Sequence, residues 1–344
     1  MAERTPLYDV EERAGATFAE EAGWLMPAHY GDALAEYRAA LDGAAVFDVS
    51  HRGKIEARGP DAATFLQNLC TNEIKNLAPG SGCEAFFCNV QARVLGHAHI
   101  YHLVEEGQSA FWLDVVPGTA ENLAKHLDRY LISEQVEISD QTRDFVQFHV
   151  VGPQAPAVLK QPTQGIPEPR RHDVLGLVGY DVLCTPGKAA ELWQLLLSTG
   201  VQPAGLEAYH ILRIEAGTPV YGIDFDENNL APEVGRTKQA ISYTKGCYLG
   251  QEPIVRIRDL GHVNRTLVGL RLSTNSHLPR GTKLFRDGKE VGHVTSSVVS
   301  PRMGTIGLAY VRRGNESVGT KLTFSTVETP ADAEVASLPF AGSG

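Results

Sequence analysis

The pattern of apolar residues changes at Gly261, and this change limits the folds open to the chain. Before Gly261, strand-like and helix-like segments mix without the strict alternation that a doubly wound parallel sheet requires. After it come short strand-like runs separated by turn signals, at residues 267–272, 283–286, 291–297, 305–310 and 321–326. A segment of about 80 residues is long enough for an independent domain. The pattern therefore predicts an α+β chain with an all-β domain at its C-terminal end.

The length of the chain predicts more than one domain. Its 344 residues exceed the roughly 250–300 residues at which a single hydrophobic core stops growing, so we expect two or three domains. The tail from Glu328 onward is small and polar, which predicts a frayed end.

Charge and cysteine content argue against several classes of protein. The net charge of −10 argues against direct binding of nucleic acid, because such proteins present a basic face. No apolar run approaches the roughly 20 residues that span a bilayer, and residues 1–15 lack the apolar core of a signal peptide, so no membrane partner is expected. The five cysteines then predict reduced thiols in the cytoplasm. Cys83 and Cys88 lack the second pair that would complete a metal site, so no metal is expected.

Three regions resemble one superfamily, in the same order along the chain. Residues 5–8, 23–31, 47–51, 59–62 and 69–72 resemble the N-terminal half of the glycine cleavage aminomethyltransferase (T-protein) family. Residues 212–219 and 221–224 are similar to the folate-site segment of that family. The run Lys-Gly-Cys-Tyr-Leu-Gly-Gln-Glu at residues 245–252, continued at residues 261–265, matches the signature of YgfZ-type folate-binding proteins. The chain is identified by this resemblance as a YgfZ-type member of the superfamily.

The resemblance implies a ring of three modules around a central opening. It predicts a discontinuous folate-binding module from residues 1–50 and 140–258, an α+β module inserted at residues 51–139, and a C-terminal β-barrel at residues 259–340. Tetrahydrofolate, or a one-carbon-substituted folate, is expected where the modules meet, since concave sites often lie between domains.

The resemblance also places the pterin-binding glutamate of the family at Glu215. A pterin ring offers an N–H and an amino group side by side, a pair of donors that one buried carboxylate can accept. The alternatives are a salt bridge with Arg213 or a solvated position on a helix. The further residues expected to contact folate are Arg213, Tyr221, Trp24, Gln251, Glu252 and Arg256.

Cys247 is expected to be a functional thiol, with Lys245 beside it in the same run. A nearby cation lowers the pKa of a thiol and raises the fraction of thiolate, the form that attacks or binds metal. The alternative is a small apolar filler, which is what most single cysteines are.

One departure from the family bears on activity. Aminomethyl transfer needs a positioned acid or base, which T-proteins take from an Asp-Asp pair. Gly96 and His97 stand at these two positions, which argues against a classical aminomethyltransferase and leaves open whether the chain is an enzyme. His97 can carry a proton and would share one strand face with His99, either as the start of a metal site or as a polar face.

The resemblance therefore predicts a tetrahydrofolate-binding protein that supports iron–sulfur cluster assembly or repair. Iron–sulfur client proteins or assembly factors would be its partners. The alternative is a folate-dependent aminomethyltransferase or a related demethylating transferase. A folate sensor without chemistry is a third option.

Overall fold

The computed structural model describes residues 2–105, 107–160, 165–325 and 330–340, which form four sheets and the helices that cover them. The strands are β1 (Glu3–Arg4), β2 (Thr17–Glu21), β3 (Trp24–His29), β4 (Ala45–Asp48), β5 (Gly53–Arg58), β6 (Gly82–Cys88), β7 (Val94–Glu105), β8 (Gln108–Val115), β9 (Glu137–Asp140), β10 (Val146–Val151), β11 (Arg170–Arg171), β12 (Gly179–Cys184), β13 (Gln202–Ala204), β14 (Arg265–Leu272), β15 (Lys283–Arg286), β16 (Lys289–Ser300), β17 (Gly304–Arg312), β18 (Lys321–Ser325) and β19 (Pro330–Ala336). The α-helices are α1 (Tyr8–Arg13), α2 (Ala33–Asp42), α3 (Ala62–Leu69), α4 (Ala120–Asp128), α5 (Ala155–Leu159), α6 (Ala189–Ser198), α7 (Leu206–Glu215), α8 (Thr237–Ala240) and α9 (Gln251–Leu260). No helix among these residues has both the length and the apolar character needed to cross a membrane.

One five-stranded sheet joins distant parts of the chain in the order β11-β12-β10-β4-β13. Strand β4 pairs antiparallel with β10 and parallel with β13. Strands β4 and β10 are buried along their whole length, as expected for central strands covered on both faces. Helices α5 and α6 pack on one face around Trp193, and α2 and α7 pack on the other around Phe47. A small sheet of order β1-β3-β2 lies at the N-terminal end.

The second five-stranded sheet is antiparallel, in the order β6-β7-β8-β5-β9. Helices α3 and α4 cover one face through an apolar core that includes Phe65, Leu66 and Leu123. The other face of β7 carries polar side chains. The sheet therefore separates an apolar core from a polar surface, which lines the site described below.

Six strands close into a barrel in the order β14-β17-β16-β15-β18-β19. Strand β19 pairs with both β14 and β18, so the predicted fraying of the tail is wrong for residues 330–336. Ala333 and Val335 alternate inward in this strand and are buried, and closure removes the unpaired strand edges. Residues 328, 329 and 341–344 of the tail lie outside the described residues. The predicted α+β class with a C-terminal β-barrel is confirmed, whereas the bounds of the three modules stay a prediction.

Candidate functional site

A cavity of about 710 Å³ opens between the two five-stranded sheets, helix α7 and the barrel. Its volume lies in the range of sites that hold a small organic ligand, about 300–1,000 Å³. One wall is the C-terminal part of α7, and another is the polar face of β6, β7 and β8. The polar residues of the lining include Arg213, Glu215, Glu84, His97, His99, Asp114, His172, Arg236 and Arg302.

Helix α7 carries Arg213 and Glu215, two residues that the sequence predicts at the site. The helix begins after Gly205, whose N–H donates to the Glu36 carboxylate at 2.8 Å. A Cβ atom at Gly205 would lie 2.2 Å from the carbonyl oxygen of Ala28, so the start of α7 is pressed against β3. This contact and the packing of its apolar residues on the core fix the orientation of the helix.

Glu215 is buried in the cavity wall, only 4% exposed. The hydroxyl of Tyr37 donates to its Oε1 at 2.7 Å, Ser300 Oγ donates to the same oxygen, and the Arg302 guanidinium pairs with Oε2. Burial, followed by the hydrogen bond to Glu215, raises the pKa of Tyr37 to about 12, so its hydroxyl remains a donor at neutral pH. A carboxylate has roughly four lone-pair sites, so these three donors leave capacity for a ligand.

Arg213 faces the cavity, but its guanidinium is engaged on the barrel side. It donates to Asp224 Oδ2 at 3.1 Å and to Ser296 Oγ at 3.1 Å. A salt bridge between Arg213 and Glu215 is one of the alternatives that the sequence allows. In the structure, Glu215 pairs with Arg302 and Arg213 pairs with Asp224 instead. Arg213 therefore fastens α7 to strand β16.

Of the two positions that replace the aspartate pair, His97 faces the cavity and Gly96 faces the core. A Cβ atom at Gly96 would lie 2.9 Å from Leu123 Cδ1. His97 Nε2 lies 2.8 Å from Glu84 Oε1, and the Arg236 guanidinium pairs with the same carboxylate. Although burial opposes the charge, His97 and Arg236 hold the pKa of Glu84 well below its usual range. An imidazole bonded to an ionised carboxylate thus stands at the cavity-facing position.

A second polar cluster reaches the same cavity, and the sequence patterns do not point to it. Asp181 accepts hydrogen bonds from His149 Nδ1 at 2.9 Å, from His172 Nδ1 at 2.7 Å and from the Tyr101 hydroxyl at 3.0 Å. His149 and Asp181 are direct partners in the pairing of β10 and β12, so a correct prediction of the register of these strands would have placed them side by side. His172 lies in the turn between β11 and β12 and has no local signal. Its ring lies 4.5 Å from that of His99, which lines the cavity with His97, and the predicted shared face of His97 and His99 is confirmed.

Lys245 is buried at the end of helix α3 and is not among the described residues that line the cavity. Its Nζ donates to the carbonyl oxygens of Gln67 at 2.6 Å, Cys70 at 2.8 Å and Asn72 at 2.7 Å. The last carbonyls of a helix lack partners within the helix, and a lysine near the end can supply them. The Lys245 ammonium therefore caps α3 and anchors the 245–252 run to it.

Six further residues predicted at the site do not line the cavity in the part of the chain that the structure describes: Cys247, Gln251, Glu252, Arg256, Trp24 and Tyr221. Cys247 is exposed in the turn before α9, the helix that carries Gln251, Glu252 and Arg256. Trp24 is half-buried on β3, and Tyr221 packs edge-on against Phe225 with 5.6 Å between ring centroids. The structure thus brings Arg213 and Glu215 together and places the other predicted contacts elsewhere.

Comparison with known proteins assigns the chain to a family. The GCVT N-terminal domain matches residues 7–168, and the glycine cleavage T-protein C-terminal barrel domain matches residues 265–341. An aminomethyltransferase of Desulforamulus reducens is 31% identical, covering 98% of this chain and 97% of its own length. One from Rubrobacter xylanophilus is 32% identical, covering 98% and 94%.

A solved structure shares the fold over nearly the whole chain. The crystal structure of glycine cleavage system aminomethyltransferase T from Bartonella henselae matches with a TM-score of 0.89 and 26% identity. The match covers 99% of this chain and 98% of that one. The chain belongs to the glycine cleavage T-protein (aminomethyltransferase) family.

Proposed function

We propose that the chain is a folate-dependent one-carbon transferase that takes tetrahydrofolate as its acceptor substrate in the central cavity. Relatives that match it over nearly their whole length are named aminomethyltransferase. The observation that carries the proposal is the Glu215 carboxylate, buried in the wall of a cavity of about 710 Å³. A carboxylate in that position selects a ring with adjacent N–H donors, because a ring without them would leave it without those bonds.

The surroundings of Glu215 fit a pterin. Tyr37 and Ser300 hold Oε1 from the protein side, which fixes the carboxylate without using all of its lone pairs. The third partner, Arg302, has a side chain 37% exposed on the turn between β16 and β17. Arg302 is therefore the partner best placed to give way when a ligand enters.

A transferase also needs ionisable groups in its cavity, since proton transfer accompanies the reaction. His97 faces the cavity and is hydrogen-bonded to the ionised Glu84. The replacement of the aspartate pair therefore changes the chemical identity of the ionisable group at this wall but does not remove it. This supports transfer chemistry over a purely binding role.

The proposal is tested by turnover with an aminomethyl-lipoyl carrier protein and tetrahydrofolate. We expect folate-dependent release of product by the wild type and by Glu290→Gln, a control at an exposed barrel carboxylate that pairs with Lys283. Glu215→Gln should lose this activity. Methylated glycines offered in place of the carrier test the related demethylating activity. A wild type that binds tetrahydrofolate but releases no product from either donor contradicts the transferase.

A second candidate, the YgfZ-type role in iron–sulfur cluster assembly, is favoured by one observation. The 245–252 run presents the exposed thiol of Cys247 on a turn whose Lys245 is tied to three backbone carbonyls. A thiol on an anchored surface turn suits contact with a partner protein better than chemistry inside the cavity. Client proteins that carry iron–sulfur clusters would be the partners.

This role predicts that Cys247→Ala keeps the fold and tetrahydrofolate binding but lowers the activity of cluster-dependent enzymes in cells. Cys184→Ala is a suitable control, because Cys184 is a buried packing residue far from the turn in sequence. Normal client activity with Cys247→Ala rejects the role.

A further inference from the structure

His172 and Asp181 form a carboxylate–imidazole pair at the cavity wall that the proposed folate contact at Glu215 leaves unused. His172 lines the cavity and is 7% exposed, and Asp181 lies behind it with 1% exposure. The His172 Nδ1 donates to Asp181 at 2.7 Å, so Nε2 is the nitrogen left to serve a ligand. The tautomer and ring orientation are thereby set by Asp181.

The charge state of this pair follows from its surroundings. Burial alone disfavours charge on both groups, yet His172 and His149 hold the pKa of Asp181 well below its usual range. Against the effect of burial, the Asp181 carboxylate raises the pKa of His172. Burial, followed by the charge of His172, lowers the pKa of His99 to about 3. Asp181 therefore favours the protonated form of His172, whereas the surroundings of His99 favour its neutral form.

The groups that face His172 come from several elements. They are Asp181 on β12, His149 on β10, His99 and Tyr101 on β7, Asp114 on β8 and Arg52 in the turn before β5. Arg52 is paired with Asp114, which also accepts from Gln147 at 2.6 Å. The carboxylate closest to the imidazole is thus Asp181.

His172 and Glu215 belong to one continuous wall. After His172 the chain runs along the cavity to Gly176, where an added Cβ would lie 2.9 Å from the Cβ of Ala216. Thr218 Oγ1 donates to the carbonyl of Val174 at 2.7 Å and fixes this segment against the end of α7. Four residues extend at most about 14 Å, which limits the distance between His172 and the helix end that carries Glu215.

We infer that His172, through its Nε2, is the general acid of the one-carbon transfer and that Asp181 is its positioning residue. The inference rests on the proposed transferase function, and it adds a catalytic group to the Glu215 site.

The proton balance of the transfer step is closed by one residue. The carbon–sulfur bond of the aminomethyl carrier breaks, and its electron pair stays on sulfur, which takes the Nε2 proton of His172. A nitrogen of the acceptor substrate bonds to the carbon and releases its N–H proton, which restores the proton on His172 Nε2. The net change is a free carrier thiol and an aminomethyl group on the acceptor, with no oxidant or reductant required.

The experiment compares His172→Gln and Asp181→Asn with His102→Gln as a matched control. His102 lies on β7, the strand that carries His99, but it bonds the Leu77 carbonyl and Ser109, and it is not among the described residues that line the cavity. Tetrahydrofolate affinity by calorimetry and kcat and KM against pH are measured for each protein, and the His172 ring is titrated by NMR in the proteins that retain it. Zinc binding is measured by calorimetry, because His149, His172 and Asp181 also have the spacing of metal ligands.

We expect His172→Gln to lower kcat by about 10²–10⁴-fold with tetrahydrofolate affinity retained. A general acid must be protonated, so kcat should fall as pH rises through the raised pKa of His172. In Asp181→Asn, both the decrease in kcat and the NMR titration midpoint of the His172 ring should move to lower pH. His102→Gln should behave as the wild type.

The outcomes separate the two proposals. An active wild type whose kcat is unchanged in His172→Gln, or whose pH profile is unchanged in Asp181→Asn, overturns the acid role alone. If His172→Gln does not fold, the Asp181→Asn profile and the NMR titration decide. A wild type that binds tetrahydrofolate but has no transfer activity overturns the transferase and this role with it. Stoichiometric zinc binding that Asp181→Asn abolishes overturns the acid role in favour of a metal site.

Discussion

The buried ammonium of Lys245 gives a sharp test of how the 245–252 run is held. Its Nζ bonds three backbone carbonyls at the end of α3, at 2.6, 2.8 and 2.7 Å. Methionine has a similar length and no donor, so Lys245→Met removes all three bonds without creating a large cavity. We expect the change to reduce the free energy of unfolding and to leave tetrahydrofolate affinity intact.

The size of the effect follows from the carbonyls. Each buried acceptor that loses its donor costs about 1–3 kcal/mol, so the buried carbonyls of Gln67 and Cys70 give a gross loss of about 2–6 kcal/mol, whereas the part-buried carbonyl of Asn72 also accepts from Cys70 Sγ. Burying an ammonium itself costs several kcal/mol, which methionine does not incur, so the net loss should be about 2 kcal/mol. At about 2.1 cal/mol/K per residue, the 344 residues give an unfolding entropy of about 0.7 kcal/mol/K. The loss then lowers Tm by about 3 °C.

The assay is thermal unfolding followed by circular dichroism, with Lys283→Met as control. Lys283 is exposed and pairs with Glu290 at 2.7 Å, a surface ion pair worth about 0–1 kcal/mol. A Tm shift for Lys245→Met no larger than that of the control would refute the capping role. Loss of tetrahydrofolate binding without loss of stability would refute it as well.

Two further changes test the site and its scaffold. Because the pKa of His99 is lowered to about 3, the unfolded chain binds a proton that the folded chain refuses, and the free energy of unfolding should fall by up to about 2 kcal/mol between pH 7 and pH 5. Urea unfolding at both pH values measures this drop in the free energy of unfolding, and the drop should be smaller by up to about 2 kcal/mol in His99→Asn than in the wild type. An equal drop in the two proteins contradicts the reasoning. Gly205→Ala places a Cβ 2.2 Å from the Ala28 carbonyl oxygen and should cost about 3 kcal/mol, because backbone must move. Gly187→Ala, which meets open space, is its control, and equal urea midpoints for the two would contradict the close packing of α7 on β3.

Local patterns predict much of the fold, because alternation along a strand is a property of neighbouring residues. The expected strand at 267–272 lies within Arg265–Leu272, and that at 305–310 lies within Gly304–Arg312. Strand β19 is missed because the residues that point inward, Ala333 and Val335, are small and their flanks are polar. The partners that close the barrel, β14 and β18, are set by tertiary pairing.

The site is predictable only in part, because its contacts join residues far apart in the chain. The partners of Glu215 lie 178, 85 and 87 residues away, at Tyr37, Ser300 and Arg302. No local pattern marks them. Three of the partners of Lys245 Nζ are backbone carbonyls, which have no signature in a sequence, so no local pattern predicts these contacts.

Calorimetric titration with tetrahydrofolate tests the central claim, that Glu215 holds the acceptor substrate. The comparison is between wild type, Glu215→Gln and the exposed control Glu290→Gln, each shown by circular dichroism to be folded. Hydrogen bonds to a charged group contribute about 1.5–3 kcal/mol each. Replacing the charged acceptor with a neutral amide should therefore weaken binding by about 10²-fold. The account predicts this loss for Glu215→Gln alone. Equal affinity in all three proteins, or no binding by the wild type, would contradict it.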